Sequence, residues 1–471
     1  MNIAKASSKL FGAQGFNTIV GFVAIAFFAR ELGAGRMGVY FLFQATLNIL
    51  ALFSDLGLGG AIEKRISEGQ PGDEVLSTGL LMKLILTVPV CLVVLVFEGR
   101  VNNYIGADVV ILLLVALVLR ELAQTLQKVL SGEKRIGKRA LPDMARQVVW
   151  FGVGGVLVTL GYGVVGMIYG LILGNGVMFL WNWHRSESTL GSPSIESARS
   201  LLRFSKYHVV SSAQGYIYSW MDVAIIGFFL TTEAVGAYEI AWRITEAVIV
   251  LTNAVAESIL PQISEWHADG QKDKIKTLIS DATIPSLLLV IPAFGGALVL
   301  GSEILGLMFG PEYTIASIVF IVLSGEKILQ AFYRLFHRSL HAIDRPDLAA
   351  RGIIITLALN LVVNLLLIRP FGIEGVAVGT LLSFGVGAFL FWRSLAQTVP
   401  VTIPVGELAW CGVATMVMTA VIAGLRTELA VDGLPVLIGL IIFGGGVYFV
   451  TLSAYRPLRY RLTRNVRGVV T

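Results

Sequence analysis

"GAYEIAWRITEAVIVLTNAVAESIL", Gly236 to Leu260, reads as a membrane span that carries four charges: Glu239, Arg243, Glu246 and Glu257. A charge at the centre of a bilayer costs ~2.5–3.5 kcal/mol on the gentlest scales, so four in one span need a reason. At about 100° per residue on a helix, Arg243, Glu246, Asn253 and Glu257 all fall within about 40° of Glu239. Only Val250 interrupts that face. A narrow polar stripe on an apolar helix is the pattern of a wall facing water or a bundle interior.

The rest of the chain has the same character. Hydrophobic residues make up 55% and charged residues 14% of the 471, and mean hydropathy is +0.78. A soluble domain carries roughly 25% charge. The apolar residues come in long blocks rather than in the alternating ~10-residue pieces of a β-barrel. The expected fold class is therefore all-α and polytopic, with about fourteen transmembrane helices. Approximate spans are 11–30, 38–62, 77–98, 104–130, 143–161, 164–184, 206–230, 236–260, 280–302, 314–338, 350–369, 373–393, 405–424 and 434–455. With the N-terminus in the cytoplasm, the outside loops hold only Arg30, Arg36, Arg100, Arg369 and Arg426. Lys83, Arg120, Lys128, Arg243 and Lys327 lie within spans, and every other Lys and Arg of the 36 faces inside. This fits the positive-inside rule and places both termini in the cytoplasm of a cell membrane protein. It also accounts for a pI near 9.1 through contact with anionic headgroups, without nucleic acid. No signal peptide is apparent. Cys91 and Cys411 lie in apolar runs without metal spacing, and no metal site is expected.

The chain repeats itself. Gly38-Val-Tyr40 matches Gly236-Ala-Tyr238, and at the same offset Asn48 faces Glu246 and Asp55 faces Asn253. "PDMAR" (Pro142 to Arg146) then echoes "PDLAAR" (Pro346 to Arg351). "YGVVGMIYG" (Tyr162 to Gly170) echoes "FGIEGVAVG" (Phe371 to Gly379). Six spans per repeat is an even number, so the halves are parallel repeats, a transporter architecture with a central cleft. The domains read as an N-terminal six-helix bundle over 1–184, a flexible cytoplasmic linker over 185–205, a C-terminal six-helix bundle over 206–398, and helices 13 and 14 with a basic tail over 399–471.

Candidate cavity residues follow from the stripes: Glu239, Arg243, Glu246, Asn253 and Glu257, with Asn48 and Asp55 as their counterparts behind Gln44. The fourth span adds Arg120, Gln124 and Gln127, with Lys128 adjacent. The tenth adds Lys327, Arg334 and His341, seven apart. Asp222 is a lone acid in the seventh span, and Lys83 is placed to snorkel to the inner surface. The competing interpretation is that these residues form buried pairs that only fix helix packing.

The stretches "FFARELGAGRMGVYFLFQATLNILALFSDLGLGGAIEKRIS", "MDVAIIGFFLTTEAVGAYEIAWRITE" and "NLVVNLLLIRPFGIEGVAVGTLLSF" resemble Wzx-type polysaccharide and lipid-linked oligosaccharide flippases. These belong to the superfamily that also holds MATE drug antiporters and lipid II flippases. The resemblance implies a carrier of a polyprenyl or dolichyl (pyro)phosphate-linked oligosaccharide from the inner to the outer leaflet by alternating access. Its partners would be that substrate, membrane lipids and other polysaccharide assembly proteins. It implies no cofactor beyond a coupling ion, Na+ or H+. Arg243, Arg120 and Lys327 are the candidates for the phosphate, and Asp55, Glu239 and Glu246 for the sugar path or the ion. A MATE-like cation-coupled antiporter would share the fold but favour an acidic cavity. A membrane-embedded glycosyltransferase would carry a large outer loop with catalytic acids, and every outer loop here is short. A cysteine placed in "GKRALPD" (Gly137 to Asp143) is expected to escape an impermeant thiol reagent in intact cells, and labelling there would overturn the topology.

Overall fold

A computed structural model describes residues 3–458. The basic tail read beyond residue 458 lies outside the described residues. Among the described residues all long elements are helices: α1 (Ile3–Asp55), α2 (Leu58–Ser67), α3 (Gly72–Val96), α4 (Glu98–Ile105), α5 (Val110–Gly132), α6 (Ala140–Leu157), α7 (Gly163–Arg185) and α8 (Ile195–Phe229). They continue with α9 (Thr232–Val248), α10 (Val250–Ala268), α11 (Lys272–Leu287), α12 (Val290–Met308), α13 (Ser317–Ala342), α14 (Pro346–Ala396), α15 (Val405–Glu428) and α16 (Leu434–Ser453). They form two compact units, Met1–Gly236 and Ala237–Thr471.

Among the described residues, nine helical stretches are long and apolar enough to cross a membrane, or ten if the bent pair α9 and α10 is one span. The count falls short of fourteen partly because adjacent spans run together. Gly15–Asp55, Ala140–Arg185 and Pro346–Ala396 hold 41, 46 and 51 residues. At ~1.5 Å per residue each is about twice the ~30 Å hydrocarbon thickness. Each is broken at a glycine with positive φ: Gly33 at 74°, Gly161 at 91° and Gly372 at 59°. Those are the places where the sequence ends one span and begins the next. Over α8 only Ile217–Phe229 is a shorter apolar helix. The faces turned away from each unit suit lipid. On α3, Leu84, Ile85, Leu92, Val93 and Val96 are all exposed, a patch that a water-soluble monomer rarely carries.

The repeat is visible in the backbone. Gly163 has φ 58°, ψ −141° and its repeat partner Gly372 has φ 59°, ψ −138°. Few L-residues adopt this conformation, so both halves turn on the same glycine. Gly38 and Gly236, another matched pair, lie against one another in the first unit. A Cβ on Gly38 would collide with the carbonyl oxygen of Thr232 and sit 3.1 Å from Gly236 N; one on Gly236 would collide with the carbonyl of Ala34. Tyr40 and Tyr238, two residues on, are both buried.

The linker is not a free hinge. Glu133 Oε1 accepts from Glu187 N (3.0 Å) and Ser188 N (2.9 Å). Gly191 N donates to Ser77 Oγ at 2.8 Å, and Ser194 N to Thr78 Oγ1 at 3.1 Å. Ser194 Oγ donates to Glu74 and accepts from Ser197 N, capping α8. Backbone donors that water would otherwise serve are thus held by α3 and by Glu133 just past the end of α5, and the segment is fastened to the first unit.

Gly38→Ala is expected to lower the melting temperature of the solubilised protein by several degrees, because backbone must move and overpacking costs about 1–3 kcal/mol. Gly152→Ala, with open space around its Cβ, is expected to leave the melting temperature unchanged or raise it. Equal melting temperatures would show that the Gly38 approach carries no weight.

Candidate functional site

In the second unit the stripe of α9 and α10 is met by α13. Glu246 Oε1 accepts from Lys327 Nζ at 2.6 Å, and its Oε2 lies 3.6 Å from Arg334. Asn253 Oδ1 accepts from Arg334 at 2.7 Å, and Glu257 Oε1 accepts from Arg338 at 2.6 Å. Each of these three hydrogen bonds joins residues 81 apart in sequence. A constant separation means that α13 runs the same way as α9 and α10, in fixed register.

The stripe is not one continuous face. α9 and α10 meet at a 45° bend at Ile249, so angles counted from Glu239 do not carry through to Asn253 and Glu257. What keeps those residues in line is the shared partner helix. Glu239 is buried and pairs within its own helix with Arg243 at 2.8 Å; the Arg243 side chain is 34% exposed. Lys327, by contrast, is 2% exposed. Its ammonium touches Glu246, lies 3.1 Å from Glu326 Oε2 and sits 5.5 Å over the Trp242 ring. Glu257 and Arg338 form a solvent-accessible pair, worth little as such.

The first unit uses the same scheme with different groups. Arg120 on α5 donates to Asn48 Oδ1 at 2.9 Å and to the Leu47 carbonyl at 3.3 Å. Lys83 on α3 is 5% exposed and does not snorkel. Its Nζ lies 2.6 Å from Asp55 and 2.9 Å from Glu121. Asp55 also accepts from Gly57 N at 3.1 Å and Gly59 N at 2.9 Å, which caps α2. Gln127 donates to Asp143 at 2.5 Å, and Lys128 pairs with Glu63 at 2.8 Å. Asp222, on α8, is half-buried and has interactions of its own.

Each unit therefore holds an ion cluster of its own: Asp55, Lys83 and Glu121 in the first, and Glu246, Glu326, Lys327 and Arg334 in the second. Glu121 and Glu326 escaped sequence reasoning. Glu326 is next to Lys327 and so about 100° off the stripe. Glu121 likewise follows Arg120. The signal that would have found them is a carboxylate in an apolar span, whatever its angle. Among the described residues no group of three or more His, Cys, Asp or Glu is arranged to hold a metal ion. Chemically the clusters offer cations already desolvated and oriented, some of them at partly open faces, where an anionic group can be received.

Comparison with known proteins bears on this arrangement. A family model for "Polysaccharide biosynthesis protein" matches residues 27–318. A "Probable low-salt glycan biosynthesis flippase Agl15" of Haloferax volcanii is 46% identical over 471 residues, the whole of both chains. A "Probable flippase AglR" of the same organism is 28% identical over 468 residues, 98% of each chain. Among solved structures, a lipid II flippase MurJ in an inward closed conformation aligns with TM-score 0.81 at 18% identity, covering 95% of this chain and 99% of that one. An inward-facing MATE family multidrug transporter aligns at TM-score 0.65 and 18% identity, covering 81% of this chain and 95% of its own. Both structural likenesses speak for the fold, a polytopic helical transporter fold. With more than half its length under the family model and a full-length relative at 46% identity, the chain belongs to the polysaccharide biosynthesis protein family of membrane proteins.

Proposed function

We propose that the chain is a flippase that carries a lipid-linked oligosaccharide, a glycan on a polyprenyl or dolichyl (pyro)phosphate, from the inner to the outer leaflet. The observation that carries this reading is the end-to-end 46% identity to a probable glycan biosynthesis flippase. The chemistry agrees with it. A hydrophilic glycan on an anionic phosphate needs a wet path with cations, while its lipid tail remains in the bilayer. Lys327 and Arg120 supply such cations from helices at matched places in the repeat, and Arg243 adds one from α9. A carrier of organic cations would favour acidic residues without these bases, and the MATE-like reading is set aside on that ground.

In the proposed cycle the two halves alternate between openings to either leaflet. Both termini lie in the cytoplasm and the protein resides in the cell membrane. Other polysaccharide assembly proteins supply and receive the glycan. The chain moves its substrate without making or breaking a bond in it. Arg243 is the residue proposed to meet the phosphate first, because its guanidinium is the most open of the three and presents a planar fork of donors. Glu239 holds that fork in place from one turn away.

Arg243→Ala is expected to reduce surface glycan export at least tenfold while the protein stays in the membrane at normal abundance. The double variant Glu239→Gln, Arg243→Gln separates the two roles of the pair. It leaves no buried carboxylate unpaired, so restored export would mean that Arg243 serves only to neutralise Glu239. Export that stays lost, with the protein still folded, is the outcome expected for a phosphate contact.

A further inference from the structure

Glu326 is 0% exposed, and its Oε1 accepts no hydrogen bond among the described residues. An ionised carboxylate in such a place is tolerated only with a counterion close by. Its ion-pair partner among the described residues is Lys327, 3.1 Å away. The charged groups that act on it are Lys327, Glu246 and Arg334. These three differ in what they have to fall back on. Glu246, 2.6 Å from Lys327, also faces Arg334 at 3.6 Å, so it keeps a cation if Lys327 turns elsewhere. Glu326 keeps none at that range.

We infer that Glu326 is a proton-binding site governed by Lys327: when an anionic phosphate draws the lysine ammonium away, Glu326 takes up one proton. The inference rests on the proposed phosphate-carrying function and adds to it a group whose protonation is linked to phosphate binding. The step balances simply. Lys327 keeps all three ammonium protons and moves as a cation. The Glu326 carboxylate accepts a proton from hydronium, becoming a neutral acid and leaving water. The protonated acid no longer attracts Lys327, so by linkage acid conditions favour phosphate binding as much as phosphate favours protonation. Glu246 and Arg334 remain paired throughout and hold α9 against α13, so the exchange does not require the unit to unfold.

The test uses the purified full chain in detergent with dolichyl phosphate as the probe, in weak buffer with a pH-indicator dye. Wild type is expected to take up close to one proton more per bound dolichyl phosphate than Glu326→Gln, which binds without that uptake. Protons exchanged by the phosphate itself, whose second pKa is ~6, are common to both and cancel. Equal proton counts in the two proteins overturn the inference. Wild type alone gives a second reading. Its affinity should rise as pH falls from 8 to 6, against the loss of charge on the phosphate. Affinity that is flat or falls with acidification overturns the inference even if Glu326→Gln does not fold. Failure of wild type to bind dolichyl phosphate at all is a separate result and overturns the phosphate-carrying reading itself.

Discussion

A charge inside a bilayer has no bulk water to turn to, and this constraint organises the molecule. Every buried carboxylate here stands next to a cation, and those pairs decide which helices lie side by side. Lys327 on Glu246 and Arg334 on Asn253 set α13 against α9 and α10 at one register, which the exposed pair of Arg338 and Glu257 shares. A slip of a single turn would bury at least one charge without a partner, at about 3–5 kcal/mol. Apolar side chains alone do not impose such a register, since lipid tails are as apolar as leucine and nothing drives the helices together by burial.

Glycine supplies what the charges cannot, close approach and reversal. Gly163 and Gly372 turn the chain at matched places with nearly the same φ and ψ. Gly38 and Gly236 let α1 and the start of α9 touch backbone to backbone. The polar groups have diverged where the glycines have not. Asn48 and Glu246 occupy matched positions, and each receives a cation from the fourth helix of its half, Arg120 or Lys327. The geometry of the contact is conserved within the molecule, while the charge it carries is not.

The class, the repeat and the breaks at Gly33, Gly161 and Gly372 were legible in the residues, as was the pairing of Glu239 with Arg243, because each leaves a periodic or local mark. Four things were not. The bend at Ile249 has no proline or glycine to announce it. Lys83 read as a snorkelling lysine because its partners, Asp55 and Glu121, come from helices distant in sequence. Glu326 stood off the stripe, since periodicity finds residues on one face and a buried cluster draws from several. The linker's Gly, Pro and serines signalled mobility, yet its backbone donors find acceptors on α3 and just past the end of α5. Composition describes a segment's own preference and is silent about what its neighbours offer.

Pairing also constrains how a carrier of phosphate can work. Among the described residues the candidate cations are already engaged: Lys327 and Arg243 hold carboxylates. Under the proposed function a phosphate would bind by exchange, displacing one anion to gain another, and the gain would be a difference between two strong interactions. A pyrophosphate linkage of charge −2 outcompetes a single carboxylate, but only by part of the full attraction, and a phosphodiester linkage of charge −1 merely matches it. Tight binding would be a fault in a carrier, which must release its cargo on the far side. The displaced carboxylate remains close by, and once ionised its return to the cation drives the phosphate out again. On this view the acids of the stripe are the release mechanism, and their removal would slow transport by holding the substrate rather than by losing it.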